Sequence, residues 1–446
     1  MAMASPVQQG LTVVVGLGRT GLACARFLHA QGATVAVTDS RIAPPELARA
    51  QQELPQLRLA LGGFDLALLA QAQQVVVSPG VSLAEPELAE VAKRGTPIVS
   101  EIELFARAVQ APVLAVTGSN GKSTVITLLG QMAEHAGIRA AVGGNLGTPA
   151  LELLDPAIEL YLLELSSFQL ETTQSLNTIA AAVLNISADH MDRHHSLAAY
   201  TDIKARIYQQ AAVSIVNADD AMVMAMERSA DSIDFSLRPD VAADWGVIEH
   251  NGSLSISCRG EALLPVDQLR IAGRHNLANV LAALALGEAA GLPVAAMLAV
   301  VADFPGLPHR TEWVGEAAGV AWYNDSKGTN VGATIAAIEG LARPIVLIAG
   351  GLGKEQDFSP LKTPLSQHAR ALILIGQDAR LIEQAVQGAL PILPAAGIED
   401  AVQQAARLAV PGDAVLLSPA CASYDMFSDY EQRGEAFRAA VRRWVE

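Results

Sequence analysis

The chain has 446 residues, 51% of them hydrophobic, and a formal net charge of −16. At roughly 150 residues per domain that length points to about three domains, and an apolar, charge-poor, acidic chain is neither disordered nor suited to wrapping nucleic acid. No apolar run reaches the roughly 18 residues of a spanning helix, the longest candidates, such as Leu292 to Val301, being short and Ala-rich, and Met1 to Gly10 lack the basic and apolar segments of a secretion signal.

The first apolar run, Leu11–Val15, reads as a buried strand, followed by glycines and a helical pattern over Leu22–Ala30. Strands are expected again at Thr34–Thr38 and Gln74–Val77. An acidic helical stretch near Ile98–Val109 leads into Ala111-Pro112 and marks a first boundary. Strand Val113–Val116 and helix Ser123–His135 come next, then strands Tyr161–Leu165, Ala181–Leu184 and Ser214–Val216 and helix Asn276–Ala290. Pro305, Gly306, Leu307 and Pro308 interrupt a helical region near Phe304–Arg310 and mark a second boundary. Beyond it lie helix Val331–Leu341 and strands Ile345–Ile348, Ala371–Ile375 and Ala414–Leu417. Continuous Val/Ile/Leu runs suit parallel strands buried on both faces, and their alternation with helices predicts an α/β fold. The expected domains are 1–99, 100–306 and 307–446, without an internal repeat. Cys24, Cys258 and Cys421 are odd in number and far apart, as ordinary thiols of a reducing cytoplasm would be.

Gly16-Leu17-Gly18-Arg19-Thr20-Gly21 fits G-x-G-x-x-G between a strand and a helix, and Asp39 closes the second strand. That pattern suits NAD, another nucleotide diphosphate, or a tight turn that binds nothing. Thr117-Gly118-Ser119-Asn120-Gly121-Lys122-Ser123-Thr124 is a second strand–loop–helix unit ending in G-K-S-T. Its backbone N–H groups would cradle phosphates, Lys122 would reach the outer ones, and a Ser123 or Thr124 hydroxyl would meet Mg²⁺. Val116 stands where the strict motif has its first Gly, so this is a variant loop.

Further polar groups follow buried strands. Glu164 ends one, where a carboxylate can serve Mg²⁺ or lie exposed. Asn185 to His194 packs Asp189, His190, Asp192, Arg193 and His194 after another, as a site or as a solvated loop. Lys204 sits on a predicted helix, where physics alone expects a surface lysine. Asn276 and Asn279 are one turn apart and can share a face.

The loop Thr117 to Thr124, with Glu164, the Asp189–His194 segment, Gly273-Arg274-His275-Asn276 and Pro308-His309-Arg310-Thr311-Glu312, resembles the Mur ligases, which build the peptide stem of bacterial peptidoglycan. The resemblance runs from Gly16 to Gly434. It implies three domains: a Rossmann-like N-terminal one, a central P-loop-type ATPase with a mostly parallel sheet, and a Rossmann-like C-terminal one. It implies ATP binding by Gly118, Asn120, Gly121, Lys122, Ser123, Thr124, Asn276, Asn279, Arg310, Asp325 and Lys327, with Arg310 approaching the γ-phosphate. Two Mg²⁺ ions would be held by Ser123, Glu164, His190 and a carbamylated Lys204. The first glycine loop would take the UDP part of a UDP-N-acetylmuramoyl-L-alanine substrate rather than NAD. Gly18, Arg19, Thr20, Asp39, Ser40, Arg41, Ser78, Pro79, Gly80, Asn145 and His190 would line that site. Leu417 to Phe427 and Asp429 to Gly434 imply D-glutamate as the incoming amino acid, held by Thr329, Lys354, Ser423 and Tyr430. Lys122, His190, Lys204 and Arg310 would be catalytic, in a cytoplasmic monomer that forms an amide through an acyl phosphate. No nucleophilic role is expected of Cys421.

Overall fold

The computed structural model describes residues 10–445 apart from Leu146, Ala272 and Ala342. The Met1–Gly10 stretch read for a signal therefore lies outside the described residues except for Gly10. Among the described residues the strands form three sheets.

The first sheet is wholly parallel. Its spatial order is Arg58–Leu61, Thr34–Asp39, Leu11–Val15, Gln74–Val77, Ile98–Val99. The chain reverses its winding direction after Arg58–Leu61, which opens a crevice at the carboxyl end of Leu11–Val15. The helix Arg19–Ala30 starts there. Gly21 is required at that point, because a Cβ on it would lie 1.9 Å from the Gly16 carbonyl oxygen.

In the second sheet Val113–Thr117 is flanked by Leu160–Glu164 and Thr178–Val183. Every residue of Val113–Thr117 and Leu160–Glu164 is buried, as their unbroken apolar runs require. Strands Trp245–His250, Ser253–Cys258 and Glu261–Pro265 form an antiparallel edge that the apolar-run reading did not anticipate. They are partly exposed and polar, and so lack the continuous apolar signal. The helices Lys122–His135 and Arg274–Ala289 pack against one face of this sheet and share its hydrophobic core.

The third sheet runs Glu312–Ala317, Val320–Asn324, Ala414–Leu417, Ile345–Gly350, Ala369–Ile375, Ile392–Pro394. Only the opening hairpin is antiparallel. Its two cores are built from residues beyond 313 alone. One apolar cluster instead runs without a break from the first sheet into the second, through Val14, Leu22, Phe105, Val113 and Tyr161. Among the described residues no helix is long and apolar enough to cross a membrane.

Candidate active site

The loop after Val113–Thr117 is shaped by Gly121, which holds a left-handed φ of 86° at the start of helix Lys122–His135. A Cβ on Gly121 would sit 2.2 Å from Asn279 Oδ1, so only glycine lets the loop approach the helix Arg274–Ala289. Asn185 pins the loop's centre: Asn120 N donates to Asn185 Oδ1 at 2.9 Å, and Asn185 Nδ2 donates to the Asn120 carbonyl at 3.1 Å. Lys122 Nζ folds back on the loop, donating to the carbonyls of Gly118 (2.7 Å) and Ser119 (2.9 Å). Burial lowers the pKa of Lys122, against the opposing pull of Glu164 and Asp189. Arg310 reaches across from the C-terminal side and donates from Nη2 to Ser123 Oγ at 2.7 Å.

Glu164 is 3% exposed rather than a solvated strand-end acid. Burial pushes its carboxyl up, but Lys122 and the Asn145 amide outweigh that and hold it below the usual range. Its Oε1 accepts from Asn145 Nδ2 at 2.7 Å, while Oε2 is buried without a hydrogen-bond partner among the described residues. The expectation of a surface lysine at 204 is overturned: Lys204 is 1% exposed. It shares one face of helix Leu197–Ala205 with Tyr200, four residues earlier, and that face packs inward. Lys204 Nζ donates to Thr117 Oγ1 at 3.2 Å and lies 4.6 Å from the Tyr200 ring centroid. Burial, then the Lys122 charge, lowers its pKa well below the usual range. His190 has a positive φ of 55°, meets Phe168 edge-on at 5.0 Å, and has its Nε2 3.8 Å from Asp189 Oδ2. Burial lowers its pKa. Among the described residues no three His, Cys, Asp or Glu side chains gather as a metal cage.

A cavity of about 280 Å³ opens beside the loop. Asn120, Gly121, Thr124, Asn276, Asn279, Arg310, Asp325 and Lys327 line it, together with Ser187, Asn217, Phe235 and His275. Asn279 Nδ2 donates to Asn276 Oδ1 at 3.2 Å, so the two asparagines do share a face. Burial pushes Asp325 up to about 6 although Ser418 Oγ (2.7 Å) and Thr311 N (3.0 Å) donate to it. Burial, then Arg310, pulls Lys327 down to about 8. Its Nζ donates to Tyr430 Oη at 3.0 Å.

A second cavity, of about 490 Å³, lies at the crevice of the first sheet. Gly18, Arg19, Thr20, Asp39, Ser40, Arg41, Ser78, Pro79, Gly80 and Asn145 all line it, and His190 does not. Asp39 is 1% exposed, and its carboxylate is already occupied. Leu17 N donates to Oδ2 at 2.6 Å, while Arg41 donates from N and Nε to Oδ1 and from Nη2 to Oδ2. Burial opposes these donors but they prevail, holding Asp39 down to about 2. An acid so committed orders its own loop and has little left for the ribose hydroxyl that the dinucleotide reading asks of it.

Three family models cover most of the chain. Residues 10–100 match the Mur ligase MurD-like N-terminal domain, 116–287 the Mur ligase middle domain, and 309–421 the Mur ligase glutamate ligase domain. The chain belongs to the Mur ligase family. A relative from Nitrosococcus oceani, named UDP-N-acetylmuramoylalanine--D-glutamate ligase, is 54% identical over 98% of this chain and 97% of its own. One of the same name from Pseudomonas syringae pv. syringae is 51% identical over 98% of each. Among solved structures, a pseudomurein peptide ligase type C from Methanothermus fervidus superposes with a TM-score of 0.62. It is 18% identical and covers 98% of this chain and 100% of its own. The UDP-N-acetylmuramate-alanine ligase of Thermotoga maritima has the same TM-score at 16% identity, with 98% of this chain and 100% of its own covered. At such identities these two likenesses speak for the fold alone.

Not every residue expected in a Mur ligase site lines one of the two cavities: Gly118, Lys122, Ser123, Glu164, His190 and Lys204 line neither. Nor do Thr329, Lys354, Ser423 and Tyr430. The Lys354 and Ser423 loops do meet, through paired backbone bonds between Leu352 and Ala422 of 2.9 and 3.0 Å. Gln356, absent from the sequence reading, ties them together: its Nε2 lies 3.0 Å from the Gly353 carbonyl and 3.4 Å from those of Thr329 and Ala420. Cys421 is buried, and burial pushes its thiol up to about 12, which leaves it inert as a nucleophile. Asn217, also missed, ends the strand Ala211–Asn217, so the strand-end reasoning applied to Glu164 could have found it. Phe235 also ends a strand, Asp231–Phe235, but is apolar, and His275 was named only within the Gly273–Asn276 motif.

Proposed function

We propose that this chain joins D-glutamate to UDP-N-acetylmuramoyl-L-alanine at the expense of ATP, in the cytoplasm and as a monomer. The observation that carries the reading is its identity of 54% and 51%, over 98% of the chain, to relatives that bear that activity in their names. The three units would divide the work. Residues 1–99 would bind the UDP part at the second cavity, 100–306 would bind ATP, and 307–446 would bind the amino acid.

The alanyl carboxylate attacks the γ-phosphorus, forming an acyl phosphate and releasing ADP. The amine of D-glutamate then attacks the acyl carbon, the C–O bond to phosphate breaks with its electron pair leaving on phosphate, and the nitrogen gives up a proton as the amide forms. Lys122 and Arg310, converging on the phosphate loop, offset the negative charge that grows on the transferred group. Asn276 and Asn279 offer amides to the base in the first cavity. The buried, unpartnered Oε2 of Glu164 suits a hard cation. Glu164, Ser123, His190 and a carbamylated Lys204 would hold Mg²⁺, which when bound supplies further charge neutralisation. Lys204 Nζ bonds the neutral Thr117 hydroxyl in its buried site, where Asp189 and Glu164 act on it through space. Addition of its amine nitrogen to CO₂, with loss of a proton, would turn it into an oxygen ligand. Thr329, Lys354, Ser423 and Tyr430 would hold D-glutamate.

Phosphate release measured with ATP, Mg²⁺, the UDP-sugar and a panel of amino acids tests the reading. Release should require both the UDP-sugar and D-glutamate, and Lys122→Ala should abolish it. Release that ignores D-glutamate, or full turnover in the variant, refutes it.

A further inference from the structure

Asn330 has an extended backbone conformation and opens the helix Val331–Gly340 of the C-terminal unit. It is 3% exposed, and its side chain works in two directions. Oδ1 accepts from Ala333 N at 2.8 Å and so caps the helix. Nδ2 donates to Asp189 Oδ2 and to Asn120 Oδ1, each at 3.1 Å, and Asn120 Nδ2 lies 3.4 Å from Asn330 Oδ1. The chemistry of the neighbours fixes the amide's orientation, since a helix N–H needs the oxygen and a carboxylate needs the N–H.

Capping alone does not account for this side chain. Asp or Ser caps a helix about as well as Asn, but neither can donate an N–H to Asp189. The donors are spent on the phosphate loop through Asn120 and on the residue beside His190 through Asp189. Both targets belong to the central unit. Asn120 is itself held by Asn185, so a pull on its amide is a pull on the centre of the loop. The approach is close along its length: a Cβ on Gly332 would lie 2.6 Å from Ser187 Oγ.

We infer that Asn330 is a positioning residue of the ligase reaction, whose amide sets the phosphate loop and the His190 loop in register only when the C-terminal unit is seated. This rests on the ligase reading above. Asn330 acts through Asn120 and Asp189.

The test is a cycle of wild type, N330D, D189N and the double variant. N330D keeps the capping oxygen and replaces the NH₂ group by an oxygen that faces Asp189. D-glutamate-dependent phosphate release should fall about tenfold or more, as broken contacting pairs do, with the thermal unfolding midpoint little changed. D189N returns a donor from the opposite side, so N330D should cost less in that background than in wild type. Wild-type turnover in N330D, or losses that simply multiply in the double variant, overturns the inference. Small-angle scattering of the four ligand-free proteins asks the same question without turnover. N330D should enlarge the radius of gyration and D189N should reverse that, while four equal radii overturn the inference. An active wild type with an unaffected N330D would sink Asn330 and spare the ligase reading. A wild type without D-glutamate-dependent release would sink the reading and leave the scattering cycle to judge Asn330.

Discussion

The central unit meets its two neighbours in opposite ways. Toward the N-terminal unit the contact is a hydrophobic core: Val14, Leu22 and Cys24 join Phe105, Tyr161 and Leu163 in one buried cluster. Phe105 and Tyr161 pack edge to face with centroids 5.3 Å apart. Arg26, which pairs with Glu53 inside the N-terminal unit, reaches across to Glu152 at 2.8 Å, and just inside the central unit Leu151 N donates to the buried Glu101 at 2.7 Å. Toward the C-terminal unit the recorded bonds are polar: Arg310 to Ser123, Asn330 to Asn120 and Asp189, and His275 Nδ1 3.2 Å from the Ala336 carbonyl. Separating an apolar junction exposes surface at about 25 cal/mol per Å². Separating a hydrogen-bonded one trades each bond for water at a net cost of about 0.5–1.5 kcal/mol. The first junction is therefore a fixed wall, and the second is the face free to open and close around the nucleotide. On the ligase reading proposed above, an acyl phosphate would have to be kept from water, and a closing of the polar junction over the Thr117–Thr124 loop would do that.

Three experiments probe this contrast, from the largest effect to the smallest. Arg310→Ala should cut D-glutamate-dependent phosphate release by about 10³-fold, the scale of arginines that serve phosphoryl transfer. Its denaturation midpoint should stay close to wild type. A large stability loss would mean that the second junction is part of the folding core. Phe105→Ala should do the reverse, destabilising the N-terminal and central units by about 3–5 kcal/mol in urea denaturation. A loss below about 1 kcal/mol would show that the apolar cluster does not join them.

The smallest effect concerns pH at the first junction. Burial pushes the Glu101 carboxyl up to about 7, against the Leu151 amide that favours its charged form. The folded chain then holds a proton that the unfolded chain releases near its ordinary value. Stability is fully present below that value and falls as pH rises toward 7, by on the order of 1–3 kcal/mol. Urea denaturation at pH 5 and pH 8 should show that slope in wild type and a flatter one in Glu101→Gln. Equal slopes would mean that Glu101 is ionised in the fold.

Much of this molecule was legible because the informative patterns are local. Strands Leu11–Val15, Gln74–Val77 and Ala414–Leu417 were read with their observed bounds, since a short unbroken Val/Leu run between turn residues has few other uses. The glycine loops at Gly16 and Thr117 each lie in one strand–turn–helix unit, and ten of the eleven residues assigned to the UDP part share a cavity at the crevice of the first sheet, His190 being the exception. Lys204 was not legible as a buried group. Its partner Thr117 is 87 residues away, and on its own helix it looks like any exposed lysine. Gln356 was missed for the same reason: it reaches the carbonyls of Thr329 and Ala420, which come from other loops.

The sequence alone determined the α/β class and the two strand–glycine loop–helix units, because strand burial and glycine geometry are set within a dozen residues. Only the tertiary structure decided which junction is core and which is cleft. That choice depends on groups such as Asn330, whose partners lie 141 and 210 residues away, and no local pattern encodes such distances.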